Sequence, residues 1–411
     1  MTYITPTKQN TMIKDLLQSA NKPKEVAAMM KMKFGGYCNV KYKEPLEELA
    51  VKAGDKEFCY AALHKVSRSF AVVIQHLPEE LRDSVCVFYL VLRGLDSVED
   101  DMDFPNEQKW PLLRDFHKTA LSNNWNIVNV GDSADYRTLL KHFDKVSRFY
   151  SSLKPGYREV IADITCRMGE GMADFAEKKV NTLADYDLYC HYVAGLVGIG
   201  LSGLFSASGL ESKHLKEQRV IANSMGLMLQ KTNIIRDYWE DLHLNRAFWP
   251  KDIWSKYYDD FTEFEKNPNS EKSLACLNEL VTDALRHVPD CLNYMRMLND
   301  PQIFRFCAIP QVMAMATMAK LYNNPNVFTS VVKIRKGLAA KQMIYTHDIK
   351  DVCEAFETFA YQIMDKLNPN DPNYLLTKKR LHRIIEAVDE QTINISIVPT
   401  EEVTLEESVL F

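Results

Sequence analysis

The chain has 411 residues, 46% hydrophobic and 26% charged, with a formal net charge of −5. Its Lys and Arg residues are dispersed and never interleaved with aromatics in a basic stretch, which excludes a nucleic-acid surface. Nine cysteines, odd in number and never in a C-x-x-C pair, exclude a disulfide scaffold and a zinc ribbon, and fit free thiols in a reducing compartment.

Met1 to Asn10 lack the apolar stretch of a signal peptide, and the N-terminal segment is expected to be flexible. The first strong helix signal is Leu77-Pro78-Glu79-Glu80, with proline at the start and carboxylates in the first turn. Stepping by three and four from there places Tyr89, Arg93, Asp96 and Asp100 on one face, beside an apolar stripe of Leu81, Val85, Phe88, Leu92 and Leu95. The helix is predicted to stop before Pro105. Loops are predicted over 105–111, 123–135, 267–272 and 368–373, where turn residues gather.

From Leu188 to Leu210 no Asp, Glu, Lys or Arg appears, long enough to raise the question of a membrane span. Its glycines, serines and His191 favour a buried core helix, whose small residues let neighbouring helices or a lipid chain approach; a hydrophobic tunnel is expected beside His191 to Ser206, probed at Gly200 and Gly203. Gly198 to Gly203 matches G-x-G-x-x-G, with Glu217 at about the spacing of a ribose-binding acid. No convincing strand precedes it, so a Rossmann site is rejected. Further on, Gln230, Asn233, Asp237 and Asp241 share a second helical face, packed by Leu227, Ile234 and Ile235. Phe306 to Ala319 reads as core. With helix formers dominant and no long linker, the sequence predicts a single all-α domain over 1–411, closed by an acidic tail from about 391.

Asp96-Ser97-Val98-Glu99-Asp100-Asp101 and Asp237-Tyr238-Trp239-Glu240-Asp241 each stack carboxylates at i and i+4, roughly 140 residues apart. One acidic run is as readily a solvated face. Two, each with arginine beside it (Arg93, Arg236, Arg246) in apolar surroundings, point to a paired site for Mg²⁺ and a diphosphate, because Mg²⁺ prefers a few carboxylates plus substrate phosphates.

Six blocks in order then resemble the squalene synthases of the squalene/phytoene synthase family, over about residues 55 to 345. They are Ser67-Arg68-Ser69-Phe70, Tyr89 to Arg93 with the acids that follow, His191 to Gly198, Gln230 to Asp237, Phe306 to Ala314, and Val332-Lys333-Ile334-Arg335-Lys336-Gly337. The resemblance implies an all-α isoprenoid-synthase-type bundle around a central cavity. There two farnesyl diphosphates would be joined head to head to presqualene diphosphate, which NADPH would reduce to squalene.

By the same resemblance Asp96, Glu99 and Asp100 would hold Mg²⁺, faced by Asp237 and Asp241. Arg68, Arg93, Arg236 and Arg246 would contact diphosphate or cofactor phosphate, and Lys333 and Arg335 would serve NADPH. Tyr192 would remove a proton or steady a cation, with Tyr89, Phe70 and Phe306 as further aromatic faces. Ser67, Ser69, Gln230 and Asn233 would bind or position substrate and metal-bound water. Ionising an allylic diphosphate leaves a carbocation and a highly charged leaving group, which explains the call for cations on one side and water exclusion on the other. The family implies association with the cytosolic face of the endoplasmic reticulum membrane, yet the acidic C-terminal residues cannot span a bilayer, so the chain as given is expected to be soluble. A phytoene or dehydrosqualene synthase, or a catalytically silent prenyl-binding protein, would share much of this pattern.

Overall fold

Prolines and short polar side chains open the long helices. Pro78 precedes Glu79–Asp100; Thr182 and Asp185 form a reciprocal capping box at the start of Leu183–Cys190; and Asp300 accepts from the backbone N–H groups of Gln302 and Ile303 ahead of Pro301–Leu321. The computed structural model describes residues 19, 21–34, 42–67, 69–122, 124–175 and 178–396. Among them there is no strand.

One loop prediction fails. Residues 105–111 are mostly helical, forming the start of Asn106–Thr119, with Pro111 inside it. Pro105 takes the position before the first turn, and Pro111, the sixth residue of the helix, forfeits one backbone hydrogen bond, which the burial of Leu113 and Phe116 on the same helix offsets. Lys109 explains why this helix must follow closely: its buried ammonium donates to the carbonyls of Glu99 (3.1 Å) and Asp101 (2.5 Å), capping the end of Glu79–Asp100. Turns and bends do occupy 124–133, 267–270 and much of 365–373.

The apolar run forms Leu183–Cys190, a π-helical turn over His191–Gly195, and Leu196–Ser208. It is the one described run long and apolar enough to cross a membrane, and half of its most apolar window is buried within the protein. The helices Glu79–Asp100, Pro155–Phe175 and Arg219–Arg236 all pack on Leu196–Ser208. Gly198 to Gly203 lies within this helix, which removes the strand a dinucleotide fingerprint needs.

Glycine makes one of these crossings tight. A Cβ on Gly198 would stand 2.2 Å from the Ala222 carbonyl oxygen, and one on Gly226 would stand 2.2 Å from that of Ala194. The backbones therefore touch, and the helix leading to the second acidic cluster is held against the helix that also packs on the first.

The buried apolar side chains form one core from Tyr42 to Val388. A separate small cluster of Ala28, Ala340 and Ile344 joins Pro23–Phe34 to Lys336–Tyr345. Of the predicted acidic tail, residues 391–396 end the helix Tyr374–Ser396, and 397–411 lie outside the described residues, as do 1–18.

Candidate active site

Tyr89, Arg93, Asp96, Glu99 and Asp100 all lie on Glu79–Asp100, as their spacing requires. The second face is less regular: Arg219–Arg236 ends before Asp237, and a short helix, Tyr238–His243, follows. Backbone bonds from Asp237 to Asn233 and from Asp241 to Asp237, both 2.9 Å, carry the i to i+4 relationship across the break.

The two acidic clusters are joined by Arg246. Its Nη1 lies 2.8 Å from Asp100 Oδ1, while its own backbone N–H donates to the Asp241 carbonyl at 2.8 Å. Arg236 binds Asp237 through both carboxylate oxygens, at 2.7 and 2.6 Å. Arg93 Nη1 approaches Asp96 at 3.5 Å, and its guanidinium lies over two rings, 5.8 Å from the centre of Tyr89 and 5.4 Å from that of Tyr136. The Nε atoms of Arg93 and Arg246 are buried without a hydrogen-bond partner among the described residues. Such orphaned donors suit an anionic ligand.

Withdrawal from water lifts the Asp96 carboxyl to about 6; Arg93 opposes the rise and neighbouring Asp100 adds to it. Burial likewise lifts Asp241 to about 7, against Arg246 and with help from Asp237 and Asp100. Glu99 is pushed well above the usual carboxylate range, and Asp100 is raised as well. These acids hold protons more tightly than free carboxylates because burial outweighs the neighbouring arginines, so a bound cation would favour their charged form. No three acids, His or Cys among the described residues converge into a ready-made metal cage. The donor set instead fits a hard cation that takes part of its oxygen shell from a diphosphate.

An apolar cavity of about 270 Å³ opens beside the first cluster, lined by Tyr89, Arg93 and Asp96 on one side and by Gln230 and Asn233 on the other. Phe70 and Phe306 line it too. A second cavity of about 200 Å³, lined by Arg236, shares Phe70, Leu229, Asn233 and Pro310 with the first. The expected tunnel is corrected in its residues: Val193, Ala194, Val197, Gly198 and Leu201 line the cavity, whereas Gly200 faces Phe88 and Ile164, and Gly203 faces Val160. On a helix those two glycines point about a quarter to half a turn away from the lining residues.

Tyr192 sits in the π-helical turn, with its ring 6.1 Å from that of Phe175 and its hydroxyl unbonded among the described residues. Gly171 makes room for it: a Cβ there would come within 2.1 Å of the ring. Ser67 is buried and its hydroxyl donates to Leu63 O. Arg68 lies outside the described residues, and of Ser69 only the backbone, the start of Ser69–Gln75, is described.

The Lys333 and Arg335 block lies apart from these cavities. Lys333 is exposed, and Arg335 is paired with Glu25 at 2.9 Å. That pair shows the guanidinium fork accepting an anion at this position.

Sequence reasoning did not single out three contributors. Tyr136 covers Arg93 from a distant segment. Asp101 is no ligand but a hook, accepting from the backbone of Asp103, Phe104 and Gly131 at 2.9, 3.1 and 2.6 Å. Tyr189, stacked on Phe248 at 5.2 Å, lies close enough to Glu99 and Asp100 that they add to the rise burial imposes on its hydroxyl.

A squalene/phytoene synthase family model matches residues 63–337. Squalene synthase of Nicotiana benthamiana is 53% identical over 341 residues, covering 82% of each chain, and squalene synthase 1 of Arabidopsis thaliana is 52% identical over 330 residues, covering 80% of each. A solved complex of TcSQS with the ligand E5700 matches with a TM-score of 0.80 at 46% identity, over 82% of this chain and 98% of that one. With the helical fold and the paired acidic walls, these likenesses establish that the chain is an enzyme, not a silent prenyl-binding protein, and that it belongs to the squalene/phytoene synthase family, among its squalene synthases.

Proposed function

We propose that this enzyme joins two farnesyl diphosphates head to head into presqualene diphosphate and reduces that intermediate to squalene with NADPH, using Mg²⁺ at the paired carboxylates. The observation that carries this reading is the apolar cavity whose rim holds Arg93 and Asp96 opposite Gln230 and Asn233. An apolar chain fits the interior while its diphosphate stays at the charged rim.

Asp96, Glu99 and Asp100 would hold Mg²⁺ on one wall, and Asp237 and Asp241 on the other. Bound there, the metal supplies positive charge for the departing phosphate oxygens. Arg93 and Arg246 orient the diphosphate, for which their Nε atoms, unpartnered among the described residues, leave donors, and Arg236 would join them once Asp237 leaves its fork for the metal. Tyr89, Phe70 and Phe306 shield the cation from water, while Tyr192 accepts a proton or steadies charge in the coupling step. Lys333 and Arg335 would bind a phosphate of NADPH. Association with the cytosolic face of the endoplasmic reticulum membrane belongs to the same reading and is supported by family membership alone.

The purified enzyme given farnesyl diphosphate and Mg²⁺ should accumulate presqualene diphosphate without NADPH and release squalene with it. Squalene made without reductant, or a dehydrosqualene-type product regardless of reductant, would overturn the reading; relatives about half identical to this chain are squalene synthases, which disfavours the latter.

A further inference from the structure

One edge of the Arg335 guanidinium is already taken. Its Nη2 lies 2.9 Å from Glu25 Oε1 and its Nε 3.4 Å from Oε2. Glu25 is only 4% exposed and also accepts from Ser19 Oγ at 2.9 Å, with Lys22 Nζ 3.8 Å away. The approach is close enough that a Cβ on Gly337 would stand 2.2 Å from Ser19 Oγ and 2.8 Å from Glu25 Oε2. A carboxylate thus occupies the fork that the sequence assigns to a phosphate, and the two anions have the same requirement for paired N–H donors.

The element that brings Glu25 is separately attached. Pro23–Phe34 packs on Lys336–Tyr345 through Ala28, Ala340 and Ile344, with Met29 and Met32 at the edge, and this small cluster is not part of the main core. A groove of about 1070 Å³ lies between the pair and the body, with Glu25, Arg335 and Lys341 on one side and Lys320, Phe359 and Lys366 on the other. A helix held by one small apolar cluster and a few polar contacts can detach locally without unfolding the core.

We propose that Glu25 is an internal competitor of the reductant, so that the Pro23–Phe34 helix must give up Arg335 before a phosphate of NADPH can bind there. The inference rests on the assignment of Arg335 to the NADPH side. It makes Glu25 a residue that sets reductant affinity from outside the reaction cavity.

Calorimetric titration of the full chain with NADPH tests it. Glu25→Gln keeps the shape of the side chain but removes its charge, and should tighten NADPH binding about 5- to 10-fold, the scale of one charge-assisted contact. Arg335→Ala should weaken binding, and in that background Glu25→Gln should have no further effect. Ala28→Asn, which unseats the helix without touching Glu25 or the main core, should reproduce the tightening. If Arg335→Ala weakens binding but Glu25→Gln leaves it unchanged or weakens it, Glu25 positions Arg335 or is irrelevant to it, and the competitor role is wrong while the assignment of Arg335 stands. If Arg335→Ala changes nothing, that assignment fails and the inference falls with it.

Discussion

Arg246 and Asp100, 146 residues apart in sequence, meet at 2.8 Å and tie the two acidic clusters together. Arg246 therefore does two jobs: it offsets the charge of Asp100 and Asp241, and it presents a buried Nε that has no hydrogen-bond partner among the described residues. Arg246→Ala should lower kcat/KM by about 10- to 100-fold, the loss of one to two charge-assisted hydrogen bonds. Arg246→Lys should recover only part, since an ammonium can replace the contact with Asp100 but lacks the Nε donor of the planar fork. Without the arginine the acids repel each other, so added Mg²⁺ should raise the Tm of Arg246→Ala by more than it raises that of the wild type. Steady-state kinetics and thermal melts check both outcomes.

Tyr136 puts a second ring within reach of Arg93 besides that of Tyr89. The segment that delivers it is fastened by Asp101 to the N–H of Gly131, whose φ of +116° suits glycine, and by Arg137 Nη1 to the Gly131 carbonyl at 2.8 Å. The ring face, not the hydroxyl, makes the contact. Tyr136→Phe should keep near-normal kinetics, whereas Tyr136→Ala should raise the KM for farnesyl diphosphate about 5-fold, from a cation–π contribution of roughly 1 kcal/mol. Equal losses in both variants would show that the hydroxyl, not the ring face, matters.

Gly171 and Tyr192 form a second such relationship. The nearest ring atoms would be 2.1 to 2.6 Å from an added Cβ, far inside contact distance, so Gly171→Ala must displace the ring or the π-helical turn that carries it. Overpacking of this kind costs about 1–3 kcal/mol of stability. Formation of presqualene diphosphate should fall at least about 10-fold, and the stability penalty, read by urea unfolding, should largely vanish in a Tyr192→Ala background, where the methyl group has nothing to strike. A penalty of the same size in both backgrounds would mean that Gly171 matters only for helix packing.

The parts of this site that lie on one helix were legible. Tyr89, Arg93, Asp96 and Asp100 are separated by four, three and four residues, and a helix converts that spacing directly into a shared face. The all-helical fold was legible for the same reason, since periodicity and capping residues are local. Contacts set by the tertiary fold were not. The spacing of Asp101 from Gly131 gives no sign that one hooks the other, and nothing around Tyr136 marks it as a cover for Arg93. The π-helical turn at Tyr192 and the helix that continues through Pro111 both reflect packing overriding local preference. The glycine run packs closely, as its composition suggests, but helix phase decides which glycine faces the cavity, and it is Gly198, not Gly200 or Gly203. The V-K-I-R-K-G block suggested a phosphate site, but no local pattern revealed that Glu25, some 300 residues earlier, sits on its arginine.

His287 gives the protein a pH dependence of stability, away from the cavity. It is 7% exposed and stands among Lys231, Arg286, Asp187 and Asp283, with Lys231 itself wholly buried between the two aspartates at 2.5 Å from each. Burial, and then the positive charges of Lys231 and Arg286, hold its imidazole down at about 3, against an ordinary value of 6.5. The unfolded chain therefore binds a proton at this position more readily than the folded one. The stability that His287 contributes is complete above about pH 6.5 and drains away as pH falls toward 3, at about 1 kcal/mol per pH unit. His287→Gln cannot take up that proton but keeps an acceptor for Arg286 Nε, which lies 3.3 Å from His287 Nε2. Urea unfolding between pH 7 and pH 4 should show the wild type losing stability more steeply than the variant by about one proton's worth of slope. Parallel pH profiles for the two proteins would place a water or a counter-charge beside His287 that lets it ionise in the fold.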